Sequence, residues 1–314
     1  MNYKSSLTAR KARAAALKVI IPIVRWVFLL SISYILLYPL LYMISMTVKA
    51  PQDFYDTTVI WVPKNFSTNN IKRAWESLDY PKAFLNTVVI EVVSALIEVV
   101  SCSIAAYGLA RFEFKEKKVL MFILIITILV PSSMIMVPQM TSIRFMDIFG
   151  ILGLVNKLTG VDLRPNLLNT PLAFYIPSIL GVGLKAGLFI YMYVQFFKGL
   201  PKELEEAASI DGAGPVKTFL TIVVPSSGVI FLTVTIFSVI WHWNDTYIAT
   251  MFLSKNYPLS VALSNFGGAG DLFNPANVGI LMAACLLVIL PPLIMYCILQ
   301  KQFIKSIDRV GIVG

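Results

Sequence analysis

Glu206-Ala207-Ala208-Ser209-Ile210-Asp211-Gly212-Ala213 is a short polar stretch set between two long apolar runs. It breaks the hydrophobic pattern too sharply to be a membrane span, and it is too compact to be a separate domain. Gly199 and Pro201 open it, and Glu203, Glu205 and Glu206 fall in the first turns of a would-be helix. Gly212 closes it. Acidic residues near a helix N-terminus and a glycine past its end are start and stop chemistry. Pro215 then begins a second helical segment that runs into the next apolar stretch. The spacing predicts a helix–turn–helix lying on a membrane surface; the same residues also fit an ordinary polar loop.

Composition places those apolar runs in a bilayer. Of 314 residues, 57% are hydrophobic and 14% charged, against about a quarter charged in a soluble domain. The chain therefore reads as all-α and polytopic, with lipid as a partner. Cys102, Cys285 and Cys297 all lie inside apolar runs, which argues against a disulfide framework. The net charge of +9 does not point to nucleic acid, because the basic residues flank hydrophobic runs instead of clustering on a solvated domain.

Residues 1–25 carry Lys4, Arg10, Lys11, Arg13, Lys18 and Arg25, and a charge-free run follows from Trp26 to Val48. That run is too long for a signal core and lacks a small-x-small cleavage site after it, so it reads as a retained first span. Residues 49–82 form a mixed loop with Trp61 and Trp75, suited to an interface. A second span is expected at about Ala83 to Ala110, ended by Arg111, Lys115, Lys117 and Lys118. A third runs from Val119 to Ile143 with Pro131 and Pro138 inside it. A mixed loop over 144–170 leads to the fourth, roughly Leu172 to Phe197, interrupted by Pro177, Gly181, Gly183, Lys185 and Gly187. The fifth is about Thr218 to Trp241, and the sixth lies within 272–300.

Six spans place both termini on one side. Segments 1–25, 111–118, 198–217 and 301–314 hold 16 Lys/Arg in 67 residues; segments 49–82, 144–164 and 242–271 hold nine in 85. The density difference puts both termini, and the Glu206 stretch, in the cytoplasm. This gives a basic cytoplasmic segment at 1–25, a six-span domain at 26–300 with the loop 199–217, and a cytoplasmic tail at 301–314.

Little supports catalysis. There is no G-x-x-x-x-G-K-[ST] run, so the chain does not bind ATP through a P-loop. His242 is the only histidine, and the cysteines lack metal-ligand spacing, so no metal, cofactor or Ser–His site is read. Transport or passive membrane structure remains.

Glu206-Ala207-Ala208, three residues, Gly212, nine residues, then Ile222-Val223-Val224-Pro225 resembles the E-A-A…G…I-x-L-P signature of ABC-importer permease subunits, with Val224 in place of the usual leucine. The longer form Glu206–Ala213 with Phe219 is similar to the carbohydrate branch, that of the maltose transporter's smaller membrane subunit. Asn86-Thr87, Ala106 to Phe112, Trp243-Asn244-Asp245 and Gln302 to Lys305 agree with it, and the likeness covers roughly residues 20–314.

The resemblance implies an ABC type I importer permease fold in a prokaryotic plasma membrane. It implies three protein partners: a cytoplasmic ABC ATPase dimer, a second homologous permease and an extracellular solute-binding protein that delivers a sugar or oligosaccharide. Glu206, Ala207, Ala208, Asp211, Gly212, Ile222 and Pro225 would couple the spans to the ATPase. Small alanines permit close backbone approach, Glu206 supplies a charge-assisted contact, and Gly212 a tight turn. The loop Lys255 to Asp271, with Gly267, Gly268 and Gly270, would reach the binding protein, and the tail Ser306 to Gly314 would insert between the ATPase subunits.

Substrate-path candidates are Glu91, Glu98, Trp241, Trp243, Asn244 and Asp245. Glu91 and Glu98 are seven apart, on one face of the second span, where charges normally face a bundle interior or a watery cavity. A structural pair satisfied by Ser, Thr or Lys185 is the other reading. Aromatic faces beside amide and carboxylate groups suit sugars, and an interfacial aromatic belt uses the same residues. Two further classes stay open: an ion-coupled secondary transporter using Glu91 and Glu98, and a non-transporting membrane scaffold.

Overall fold

The computed structural model describes residues 2–147, 149–266 and 274–311. Among them the architecture is helical, with a single isolated antiparallel bridge between Lys49 and Phe66. The chain forms two compact units, residues 1–74 with 271–286, and residues 75–270 with 287–314.

In the first unit, helix α1 (Asn2–Thr47) runs through Pro22 and Pro39. Its part Ile20–Thr47 is long and apolar enough to cross a bilayer. Trp26, Phe28, Leu30, Ile35 and Leu36 project outward from it, as lipid-facing side chains do. The helix end is closed by Asn70, on α2 (Asn69–Ser77), whose Nδ2 donates to the carbonyls of Met46, Thr47 and Lys49 at 3.3, 3.2 and 2.9 Å. These are the carbonyls a helix leaves without an internal partner. Asp53 secures the loop between, accepting from Asn65 N at 2.9 Å and Nδ2 at 3.0 Å. Gly279 packs against Asn70 and Phe54 so closely that a Cβ would clash with both.

The second unit is built on α3 (Tyr80–Arg111), which packs against α7 (Leu172–Ile179), α8 (Ala186–Lys198) and α11 (Gly228–Trp243). Lipid tails are as apolar as leucine, so packing rather than water exclusion holds such helices together, and small residues at the seam favour it. Cys102, Ala106 and Ala110 recur every four residues on α3, and all are buried. Phe189, Tyr193 and Phe197 recur with the same period on α8 and belong to the same core cluster. Tyr107 joins that seam to Phe219, their rings 4.9 Å apart.

Three of the predicted spans are not straight. Helices α4 (Lys117–Leu129) and α5 (Ser132–Arg144) meet at 107°. Val130 and Pro131 are extended at the corner, because a residue preceding proline is driven out of the α region. The fourth apolar run divides into α7 and α8 around 180–185, where Gly181 has φ +68° and Lys185 φ +66°. In the fifth, α10 (Pro215–Ser226) meets α11 at 82°. Pro225 offers no N–H to the ladder, and Val224 N–H reaches back five residues to Phe219. A similar wide turn, Thr87–Val92, interrupts α3. The described residues thus hold three helices long and apolar enough to span, α1, α3 and α14 (Pro275–Gly311), plus two bent pairs; the short α6 (Ile151–Thr159) and α13 (Leu259–Phe266) lie in the connecting segments.

Candidate functional site

The polar stretch forms the predicted helix–turn–helix. Helix α9 (Glu203–Ile210) starts with Glu203, Glu205 and Glu206 in its first turn. Gly212 follows at φ +77°, and Ala213 N–H closes on Ala208 O at 2.9 Å. Glu206, Ala207, Ser209, Asp211 and Gly212 are exposed, and Ile210 is 87% exposed. The two alanines divide their work: Ala207 faces out, and Ala208 is buried within the chain. Ile222 is half-buried and Pro225 exposed on α10, at the wide turn and its exit.

Glu205, which sequence reading treated only as an N-terminal acid, anchors the knob. Its Oε1 lies 2.7 Å from Arg111 Nε, at the end of α3. Tyr107 Oη donates to Glu205 Oε2 at 3.3 Å, and Arg111 Nη2 donates to Leu200 O at 3.0 Å. Nothing in the spacing of residues 94 positions apart signals this pair, although each end was visible as a charge beside an apolar run. Through it, α9 is tied to the helix around which the second unit is packed.

The structure separates the substrate-path candidates. Glu98 is fully buried, its Oε2 3.4 Å from Ser238 Oγ and 3.5 Å from His242 Nε2. His242 Nδ1 lies 2.9 Å from Ser238 O, and a carbonyl only accepts, so Nδ1 carries the hydrogen. Nε2 is thereby left facing the Glu98 carboxyl group. Lys185, suggested from sequence as a partner for these acids, makes no ion pair with either. Helix α8 begins beyond the break, and the lysine lines a different cavity.

Glu91 is 1% exposed, and neither carboxyl oxygen has a hydrogen-bond partner among the described residues. It lines a cavity of about 20 Å³ with Gln139, Ser178, His242 and Asp245, room for about one water. Asp245 accepts from Ile248 N at 3.3 Å and Ala249 N at 3.0 Å, capping α12 (Tyr247–Phe252). Trp243 is buried and its Nε1 donates to Val288 O at 3.1 Å. Asn244 is exposed, its Nδ2 donating to Ile240 O at 2.8 Å. Trp241 alone of the six lines a second cavity, of about 590 Å³. Sequence reading did not single out Gln139 and Thr127, which line it too. Gly267, Gly268 and Gly270 of the predicted binding-protein loop lie outside the described residues, as do residues 312–314 of the tail.

Bundled apolar helices, buried polar groups deep among them and an exposed polar knob define a multi-pass helical membrane protein. The chain belongs to the family of binding-protein-dependent transport system inner membrane components, whose family description matches residues 99–309. It is a permease subunit of an ABC importer. It is similar to the melibiose/raffinose/stachyose import permease MelC of Bacillus subtilis, 33% identical over 279 residues, covering 88% of this chain and 91% of that one. The diacetylchitobiose uptake permease NgcG of Streptomyces coelicolor is 27% identical over 279 residues, 88% of this chain and 84% of its own. In fold, the chain resembles a subunit of a bacterial ABC transporter that imports the acidic polysaccharide alginate, with TM-score 0.72 and 21% identity over 90% of this chain and 96% of that one.

Proposed function

We propose that this chain carries a sugar or oligosaccharide across the membrane, with α9 as the element that couples it to a separate ATPase. The observation that carries the reading is the knob itself. Glu206 and Ala207 are presented outward with Ile210, the turn closes on Gly212, and Glu205 fixes the whole to Arg111. A docking helix must be exposed on one face and rigidly joined to the spans on the other. Sugar-importing permeases among the relatives support the substrate class.

In this reading six crossings are made by α1, α3, α4 with α5, α7 with α8, α10 with α11, and α14. Residues 26–300 form the permease domain, and the basic segment 1–25 and tail 301–314 lie in the cytoplasm. An ATPase dimer receives α9 at loop 199–217 through Glu206, Ala207 and Asp211, with Ala208, Gly212, Ile222 and Pro225 shaping the knob and its exit. A second homologous permease and an extracellular solute-binding protein complete the importer. Closure of the ATPase pair moves the spans as rigid bodies around the larger cavity.

The test is Glu206→Lys in the complete importer reconstituted in vesicles. The expected outcome is normal membrane insertion with ATP-dependent saccharide uptake reduced at least tenfold, because a charge-assisted contact becomes a repulsive one. Wild-type uptake and wild-type ATPase retention in that variant would sink the coupling role.

A further inference from the structure

The 590 Å³ cavity lies among α3, α4, α5, α8 and Trp241, and among the described residues Lys185 is the one charged side chain lining it. Its volume falls within the ~300–1,000 Å³ typical of small-molecule sites. Its depth follows from helix length. Lys185 precedes the 13 residues of α8 that lead to Lys198, which at ~1.5 Å per residue puts it about 20 Å from the polar end. A hydrocarbon core is ~30 Å thick, so in the six-crossing reading the backbone at Lys185, an exposed residue of the chain alone, falls within it. A lysine at such depth is costly and marks a water-filled path or a partner. Lys185 makes no ion pair or side-chain hydrogen bond among the described residues.

The backbone places it there deliberately. Lys185 has φ +66°, a left-handed conformation uncommon for a residue with a Cβ. Such a conformation persists only where its surroundings enforce it, and it concentrates at functional sites. Here the surroundings are explicit. Val182 N–H donates to Pro177 O at 2.9 Å, and Ser101 Oγ donates to Ser178 O at 2.5 Å. Gly183 lies so close to Glu98 that a Cβ would stand 2.7 Å from its Oε1. The buried Glu98–Ser238–His242 group is thus the floor beneath the segment that holds Lys185 up to the cavity. The same cavity is lined by Trp241, an aromatic face for a pyranose ring, and by Gln139 and Thr127, polar partners for hydroxyls.

We propose that Lys185 is a specificity-determining residue of the translocation path, and that the cargo is a saccharide bearing a carboxylate. This rests on the saccharide-importer reading above. Among the described residues no acidic side chain lines the cavity, so an incoming carboxylate meets a cation there. A neutral sugar leaves the lysine without a counter-charge.

The test uses the complete importer in vesicles, with labelled digalacturonate and its uncharged dimethyl ester as probes, and maltose as a neutral control. The expected result is ATP-dependent uptake of digalacturonate that falls at least tenfold in Lys185→Met, as loss of a charge-assisted contact predicts. Lys185→Arg should restore it, and ester uptake should change little. The ratio of acid to ester uptake is therefore the readout. An equal fall for both probes would make Lys185 a structural cation paired with another subunit and overturn the proposal. So would unchanged digalacturonate uptake in Lys185→Met, or uptake of neutral saccharides alone. In these outcomes the importer reading survives. Absence of ATP-dependent uptake for every saccharide would remove that reading, and this proposal with it.

Discussion

At Gly212 the effect of a side chain can be isolated from crowding. Its φ is +77°, and nothing lies within 4 Å of where a Cβ would point. Substitution there meets backbone strain alone. Gly212→Ala should destabilise the knob by about 1 kcal/mol, and Gly212→Val by more. Gly212→Asn should cost least, since asparagine tolerates the left-handed region best. Proteolytic susceptibility across 199–217 in the purified protein would rank them, and equal susceptibility of all three would show the turn to be unconstrained. Glu205 is the opposite case, an ion pair with little exposure. Glu205→Ala leaves the Arg111 guanidinium facing a void, and removing one partner of a buried pair costs about 3–5 kcal/mol. The full penalty is an upper bound, because Arg111 retains its bond to Leu200 O. The Glu205→Leu/Arg111→Leu double variant should be more stable than the sum of the single effects, as measured by thermal denaturation in detergent.

Among elements, the approach of α8 to α4 rests on the missing side chain of Gly187. A Cβ at that position would come 2.5 Å from Thr127 Oγ1, yet 3.6 Å from Thr127 Cβ and 3.5 Å from Ile128 Cγ1. The clash is with one hydroxyl. Gly187→Ala should therefore destabilise by about 1–3 kcal/mol, and adding Thr127→Ala should recover most of it. The thermal midpoints of the two single variants and the double decide the matter; simple additivity would place the strain elsewhere. The same pair shows how far sequence reading reaches. Gly181, Gly183 and Gly187 were legible as an interruption of the fourth apolar run. Gly181 takes a positive φ at the break, and Gly187 serves close packing. The knob was legible because its caps, acids and glycine are local chemistry. The bends near Pro131 and Ser227 were not, because an apolar run reports length and polarity but no direction. Glu205–Arg111 and Glu98–His242 were hidden for another reason: each joins distant segments that only the packed helices bring together.

For the whole molecule, the bent pairs turn the number of membrane crossings into a measurable quantity. If α4 with α5 and α7 with α8 are both full crossings, three crossings separate Thr58 from Ile210, and the two residues face opposite sides. If the 107° corner instead makes α4 and α5 a re-entrant loop, two crossings separate them and both face one side. Thr58→Cys and Ile210→Cys, each in a background with Cys285 and Cys297 replaced, can be probed with a membrane-impermeant maleimide. Cys102 is buried and stays silent. The six-crossing reading expects Thr58→Cys to react in intact cells and Ile210→Cys only in inverted vesicles. It further expects the ATPase to shield Ile210→Cys, since that side chain is 87% exposed in the chain alone and lies on the face proposed to dock. Reaction of both sites from one side would remove the corner from the count of crossings. Reaction from opposite sides without shielding would keep the topology and move the docking surface away from α9.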